Sequence, residues 1–360
     1  MNRRQALQQL LGATAALLAG RLPAVGGPGR CRPVIYGPLW WFDAHQAARW
    51  GTAGWERELE QQRVLGFDLL WLTNAPAALD HEADPLGMLL NLCARRRVQV
   101  ILDVGSSGRW YSHLDLQAEI ELCGGFIRRL GERFRGHPAF FAWYLPHEIY
   151  MCWEEGDRYI QALYPALVER CRQAADLPVT LSPFFILDRE GIFGDFRYNE
   201  PGEYRDYWAR LIRRSGFDVI MLQDSGEHFS YVTREQRRPF FAAMQAACRE
   251  GGARLWGNVE TAEFLCPSPQ EYLRRYGRVH HGTVQDAPWR PVPIGRLRQK
   301  LELAAEYSER LVTWGYREFC RPELGAAAAR WYQDYRRYAA RVPPLPRAAA
   351  PGRTVRRSRP

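Results

Sequence analysis

Glu148 and Glu260 are the two residues of this sequence whose settings point most directly to chemistry. Each closes a short apolar run: residues 140–150 read FFAWYLPHEIY, and residues 255–260 read LWGNVE. Hydrolysis of a glycosidic bond needs two carboxyl groups flanking the bond, one protonated to donate to the leaving oxygen and one ionised. Burial among Trp and Tyr raises the pKa of whichever group is the acid, because lost solvation penalises the charged form. By position, Glu148 is expected to be the general acid/base and Glu260 the nucleophile of a retaining mechanism. An inverting mechanism differs only in a wider carboxyl separation. Each glutamate also has a plainer reading. Glu148 could pair with an arginine at the rim, and Glu260 competes with Glu263 and could cap a following helix.

The neighbours of these glutamates fit a sugar better than a phosphate. Other apolar runs end on Trp40 and Trp41, on Asn74, on Asp103, and on Tyr144 with His147 beside Glu148. Further runs end on Gln223 with Asp224, on Asn258, and on Trp314. Aromatic faces and amide or carboxylate acceptors match the apolar ring faces and hydroxyls of carbohydrates. These residues are read as substrate contacts, with Asp224 as an alternative second carboxylate. Packing for the tryptophans and loop-holding for Asp103 are the competing explanations.

Such residues converge only if the elements before them are parallel strands around one axis. Short runs rich in β-branched and aromatic residues fall at 34–41, 69–73, 98–104, 140–145, 179–182, 219–223, 255–259 and 311–315. Amphipathic segments at helical spacing alternate with them, at 55–65, 85–97, 116–134, 159–175, 204–215, 234–250, 295–310 and 325–340. Eight such units predict an α/β fold, a (β/α)8 TIM barrel, in which strand ends form one ring at the catalytic face. The rival doubly wound sheet wants a glycine fingerprint after its first strand, and GPLWWFD lacks one. The long interruptions at 184–201 and 265–293 follow strands, so they are expected to shape the cleft.

Composition limits the alternatives. The chain of 360 residues carries a formal charge of +9, but eleven arginines lie in residues 1–32 and 341–360, which hold no Asp or Glu. The body is therefore near neutral, and a basic groove for nucleic acid is not expected. No spaced Cys/His set indicates a metal, no cofactor motif is present, and most of the eight cysteines read as small buried hydrophobes. Residues 1–32 begin MNRRQAL and continue uncharged to Gly20, which fits a twin-arginine-like signal peptide and linker, hence export to the periplasm or beyond without stable membrane insertion. Residues 33–342 are assigned to the catalytic barrel and 343–360 to a disordered basic tail. Nothing in the sequence fixes an oligomeric state.

At the strand ends the sequence resembles the domain of unknown function 4434 family of TIM-barrel glycoside hydrolase-like proteins. FAWYLPHEIY carries Glu148, VTLSPFF carries Ser182 and Pro183, DVIMLQDSGEHF carries Gln223 and Asp224, and LWGNVETAEF carries Asn258 and Glu260. The resemblance runs from about Val34 to Pro322 and implies a carbohydrate substrate. His147 departs from it, since the related retaining clan commonly carries Asn there. A catalytically silent, glycan-binding barrel in envelope polysaccharide assembly is the alternative function.

Overall fold

The computed structural model describes residues 31–343 except Glu227. The expected signal peptide and basic tail therefore fall almost wholly outside the described residues. Eight parallel strands close into a barrel: β1 Gly37–Trp41, β2 Leu69–Thr73, β3 Gln99–Asp103, β4 Phe140–Leu145, β5 Val179–Leu181, β6 Val219–Gln223, β7 Arg254–Asn258 and β10 Leu311–Thr313. Each pairs with its sequence neighbour, and β1 closes the ring by pairing Gly37 with Val312. The fold is a (β/α)8 TIM barrel.

The outer layer consists of α1 Ala44–Val64, α2 Pro85–Arg96, α3 Leu116–Phe134, α4 Glu154–Ala174, α5 Pro201–Ser215 and α6 Arg234–Gly251, followed by α8 Ile294–Tyr307 and α9 Ala326–Arg341. Helix starts follow local chemistry. Asp43, Asp115 and Thr233 accept from backbone N–H groups in the first turns of α1, α3 and α6, satisfying donors that have no partner within the helix. The first helix starts eleven residues before the amphipathic segment expected at 55–65. A kink at Gly51, where φ is 53°, breaks the periodicity on which that expectation stood.

Two cores result from strand alternation. Leu39, Trp71, Ile101, Tyr144, Met221, Trp256 and Val312 fill the barrel interior. Their neighbours in sequence, such as Trp40, Leu70, Leu102 and Trp143, face the helices. All eight cysteines are free thiols and seven are buried, as packing residues should be.

The 265–293 stretch is more ordered than a cleft loop. Strands β8 Ala262–Phe264 and β9 Trp289–Pro291 form an antiparallel hairpin around α7 Pro269–Tyr276. Its apolar residues join those of the 184–201 stretch in a satellite core built on Ile192, Phe193, Phe229, Phe264 and Tyr272.

The closest approach in the barrel wall makes one position intolerant. A Cβ added at Gly37 would lie 1.8 Å from the Leu69 carbonyl oxygen, so β1 and β2 would have to move apart. Gly37→Ala is predicted to cost about 1–3 kcal/mol, read as a lower denaturant midpoint. An unchanged midpoint would contradict this strand register.

Candidate functional site

The strand ends surround a cleft of about 940 Å³ at the C-terminal mouth of the barrel. Glu148 reaches it from the turn after β4 and is exposed to it. The side-chain amide of Gln223, at the end of β6, donates to Glu148 Oε1 and, at 3.2 Å, to the Ser182 carbonyl. Although open on the cleft side, Glu148 is enclosed by the barrel mouth elsewhere. That desolvation pushes its carboxyl pKa up, opposed by the Gln223 amide.

The remaining wall mixes aromatic and amide groups. Trp41 is half exposed, and Trp71, Tyr144 and Trp314 offer further ring surfaces. Asn258 presents its amide from β7, and its Nδ2 donates to Ser182 Oγ at 3.2 Å. Asn74 lines the cleft through a left-handed turn, φ 66°, that lets its amide donate to the Phe42 carbonyl. Asp103 sits beneath it and accepts from the Asn74 and Ala75 N–H groups at 2.9 and 2.7 Å. Burial pushes Asp103 up to about 6 against the pull of those donors. Asp103 thus lies in the cleft wall and also holds the β2 loop.

Four expected site residues do not line the cleft. Trp40 faces outward, packed against Trp50 and Trp55 under the Arg317 and Arg321 guanidinium groups. His147 also faces the helices. Its Nε2 donates to Glu119 Oε1 of α3 at 2.8 Å, with Cys123 Sγ 3.9 Å away and Trp110 against the ring. Burial keeps the imidazole pKa low, so the contact is a hydrogen bond from a neutral ring. Burial would raise Glu119, but this bond and the Ser107 amide hold it at about 2.

The other two, Asp224 and Glu260, form a buried layer behind the cleft. Glu260 is fully buried, with Oε2 3.0 Å from His228 Nδ1 and 3.8 Å from Lys300 Nζ. His228 lines the cleft beside it, its ring tilted against those of Trp314 and Trp289 and its backbone left-handed, φ 56°. Asp224 Oδ2 lies 3.0 Å from Lys300 Nζ and 3.7 Å from Arg237 Nε. Burial pushes Glu260 well above the carboxylate range, and the adjacent Asp224 charge adds to that push. Burial works to raise Asp224, but Lys300, a hydrogen bond with Glu260 and Arg237 together hold it at about 2. Burial and the Lys300 charge lower His228 to about 3, leaving a neutral imidazole.

Metal-donor side chains converge among the described residues only at Glu119, Cys123 and His147, on the helical side of β4. There the Ser107, His147 and Cys123 donors all aim at the single oxygen Glu119 Oε1. That arrangement is a hydrogen-bonded brace between α3 and the turn that carries Glu148. The sequence reading missed His228 and Trp71. Trp71 has a signal, its place two residues from Leu69 on a strand whose alternate side chains turn inward; His228 lies in an irregular loop and has none.

Comparison with known proteins agrees with this layout: residues 37–325 match the domain of unknown function DUF4434. The chain belongs to the DUF4434 family. Among solved structures, this DUF4434 protein is similar to a candidate alpha-L-fucosidase from Bacteroides thetaiotaomicron. The two share 19% identity and a TM-score of 0.66, over 89% of this chain and 98% of that one. A glycoside hydrolase family 5 protein from Bacteroides vulgatus matches at 11% identity and TM-score 0.51, over 84% of this chain and 65% of that one. A GH5_18 protein from Streptomyces cattleya, in complex with GlcNAc, matches at 12% and 0.50, over 88% and 83%. At these identities the likeness is one of fold alone, a TIM barrel. No curated protein matches the chain.

Two substitutions test the supporting contacts. Asp103→Asn turns one acceptor facing a backbone N–H into a donor and is predicted to cost about 1–3 kcal/mol in urea unfolding. An unperturbed midpoint would mean that the Asn74 and Ala75 bonds contribute nothing. His147→Ala removes a donor from a buried carboxylate and is predicted to cost about 1.5–3 kcal/mol. Because His147 stays neutral when folded, wild-type stability falls as pH drops below the unfolded imidazole pKa of about 6.5, and this slope should flatten in the variant. Parallel pH profiles would contradict the assignment.

Proposed function

We propose that this protein is a glycoside hydrolase acting on an envelope or extracellular poly- or oligosaccharide, with Glu148 as its acid/base. The observation that carries the reading is Glu148 itself: a carboxyl with a raised pKa, open to the cleft and held by Gln223, in a wall of aromatic rings and amides. A carboxyl so placed keeps its proton to a higher pH than a solvated one and can hand it to a leaving glycosidic oxygen. Trp41 and Trp314 supply ring faces for sugar stacking, and Asn258 and Asn74 supply hydroxyl partners. The retaining version assigns Glu260 as nucleophile, which requires the His228 ring to swing aside and Glu260 to lose its proton. Export through the arginine-pair leader would deliver the enzyme to such substrates.

A second reading has its own observation. Glu260 is fully buried and screened from the cleft by His228. A barrel whose expected nucleophile is closed off from the cleft is suited to binding glycan without cleaving it.

Screening the purified protein on envelope and extracellular glycans, beside Glu148→Gln and Glu260→Gln, separates the two. The hydrolase reading predicts release of reducing sugar and a loss of about 10²–10⁴-fold in Glu148→Gln with binding retained. Binding without turnover in the wild type would establish the second reading instead. Absence of any glycan binding would remove both.

A further inference from the structure

Of the 49 Lys and Arg residues in this chain, one is lysine, Lys300. It projects from α8 into the gap behind the ends of β6 and β7 and is only 6% exposed. Its ammonium lies 3.0 Å from Asp224 Oδ2, donates to the Glu260 carbonyl oxygen at 2.9 Å, and stands 3.8 Å from Glu260 Oε2. Two oxygens from two strand ends within about 3 Å of one nitrogen, with a third at 3.8 Å, suit a compact ammonium with rotatable donors. A planar guanidinium favours two parallel acceptors and needs more room. The one position that departs from arginine is thus the one whose geometry disfavours arginine.

The surrounding charges are few. Arg237 of α6 approaches Asp224 Oδ2 at 3.7 Å while donating to the Asp224 and Val232 carbonyls. Arg296, one turn before Lys300, is engaged with Glu263 at 3.0 Å, and Glu263 also binds Arg290. His228 faces Glu260 from the cleft side. Two adjacent buried carboxyls resist ionising together. Lys300 sits closer to Asp224 than to the Glu260 carboxyl and, with Arg237 beside Asp224, favours leaving the proton on Glu260.

We propose that Lys300 is a positioning residue that makes Asp224 the anion and Glu260 the proton holder of this pair, and that clamps the ends of β6 and β7 together. Only its functional consequence rests on the hydrolase reading. Within that reading, Glu260 can act as an anion only after its proton passes to Asp224 or to the neutral His228 imidazole.

The single lysine makes the test direct. Full-length protein grown with lysine carrying ¹⁵N at Nζ should give one side-chain ammonium signal, slow in hydrogen exchange and displaced in both Asp224→Asn and Glu260→Gln. A signal with the shift and exchange of a solvated lysine would overturn the proposal. In thermal unfolding, K300M should lie about 5 °C or more below wild type at pH 7. The sign follows from Asp224: its lowered pKa contributes stability above the unfolded value of about 4 and loses it as pH falls through about 2. The gap between K300M and wild type should therefore narrow below pH 4, and a gap constant across pH would show a packing role only. K300R should not restore the wild-type curve; if it does, ammonium geometry is not the cause. Neither readout uses turnover, so an inactive protein would remove the functional reading and leave this one standing.

Discussion

Strand parity is the constraint on which the rest of this molecule depends. A β-strand turns successive side chains to opposite faces, and a closed barrel makes one face the interior and the other the helical layer. Leu39 and Trp41 point inward from β1, so Trp40 between them cannot. Tyr144 points inward from β4, and the same parity carried past the strand brings Pro146 and Glu148 to the cleft and sends His147 to α3. Met221 and Gln223 face inward on β6, which leaves Asp224 to the helices and to Arg237 and Lys300.

Parity also explains what was legible in the sequence. The eight strands, their order and the long α3 followed from apolar runs and helical periodicity, which burial enforces directly. The adjacent candidates Trp40 and Trp41, His147 and Glu148, and Gln223 and Asp224 are alike in residue chemistry, although only one of each pair reaches the cleft. That restriction was available from the alternation within each run. The β8–β9 hairpin was not, because strands of three residues on an irregular loop carry too little periodicity to stand out. Nor was the cover over Glu260. Its place two residues beyond Asn258 keeps the inward parity, but the left-handed His228, brought in from another loop, lines the cleft and stands 3.0 Å from its carboxyl.

The site therefore has two depths with different electrostatics. In front, Glu148 meets solvent and an uncharged amide, so its protonation responds to what enters the cleft. Behind, Asp224, Glu260 and Lys300 form a buried set whose charge is fixed by contact distances of 3–4 Å rather than by the medium. The His147 to Glu119 bond on the far side of β4 steadies the front carboxyl from the backbone side. The departure at His147 is thus absorbed as a structural brace, and the cleft-facing amides are supplied by Asn258, Asn74 and Gln223.

The most direct test of the central claim, that the mouth around Glu148 is a carbohydrate site, is a crystal structure of the Glu148→Gln protein soaked with an oligosaccharide that it binds. The account predicts a sugar ring stacked on Trp41 or Trp314 with a glycosidic oxygen within hydrogen-bond reach of residue 148. A glycan bound elsewhere on the surface, with the mouth free of sugar, would contradict it.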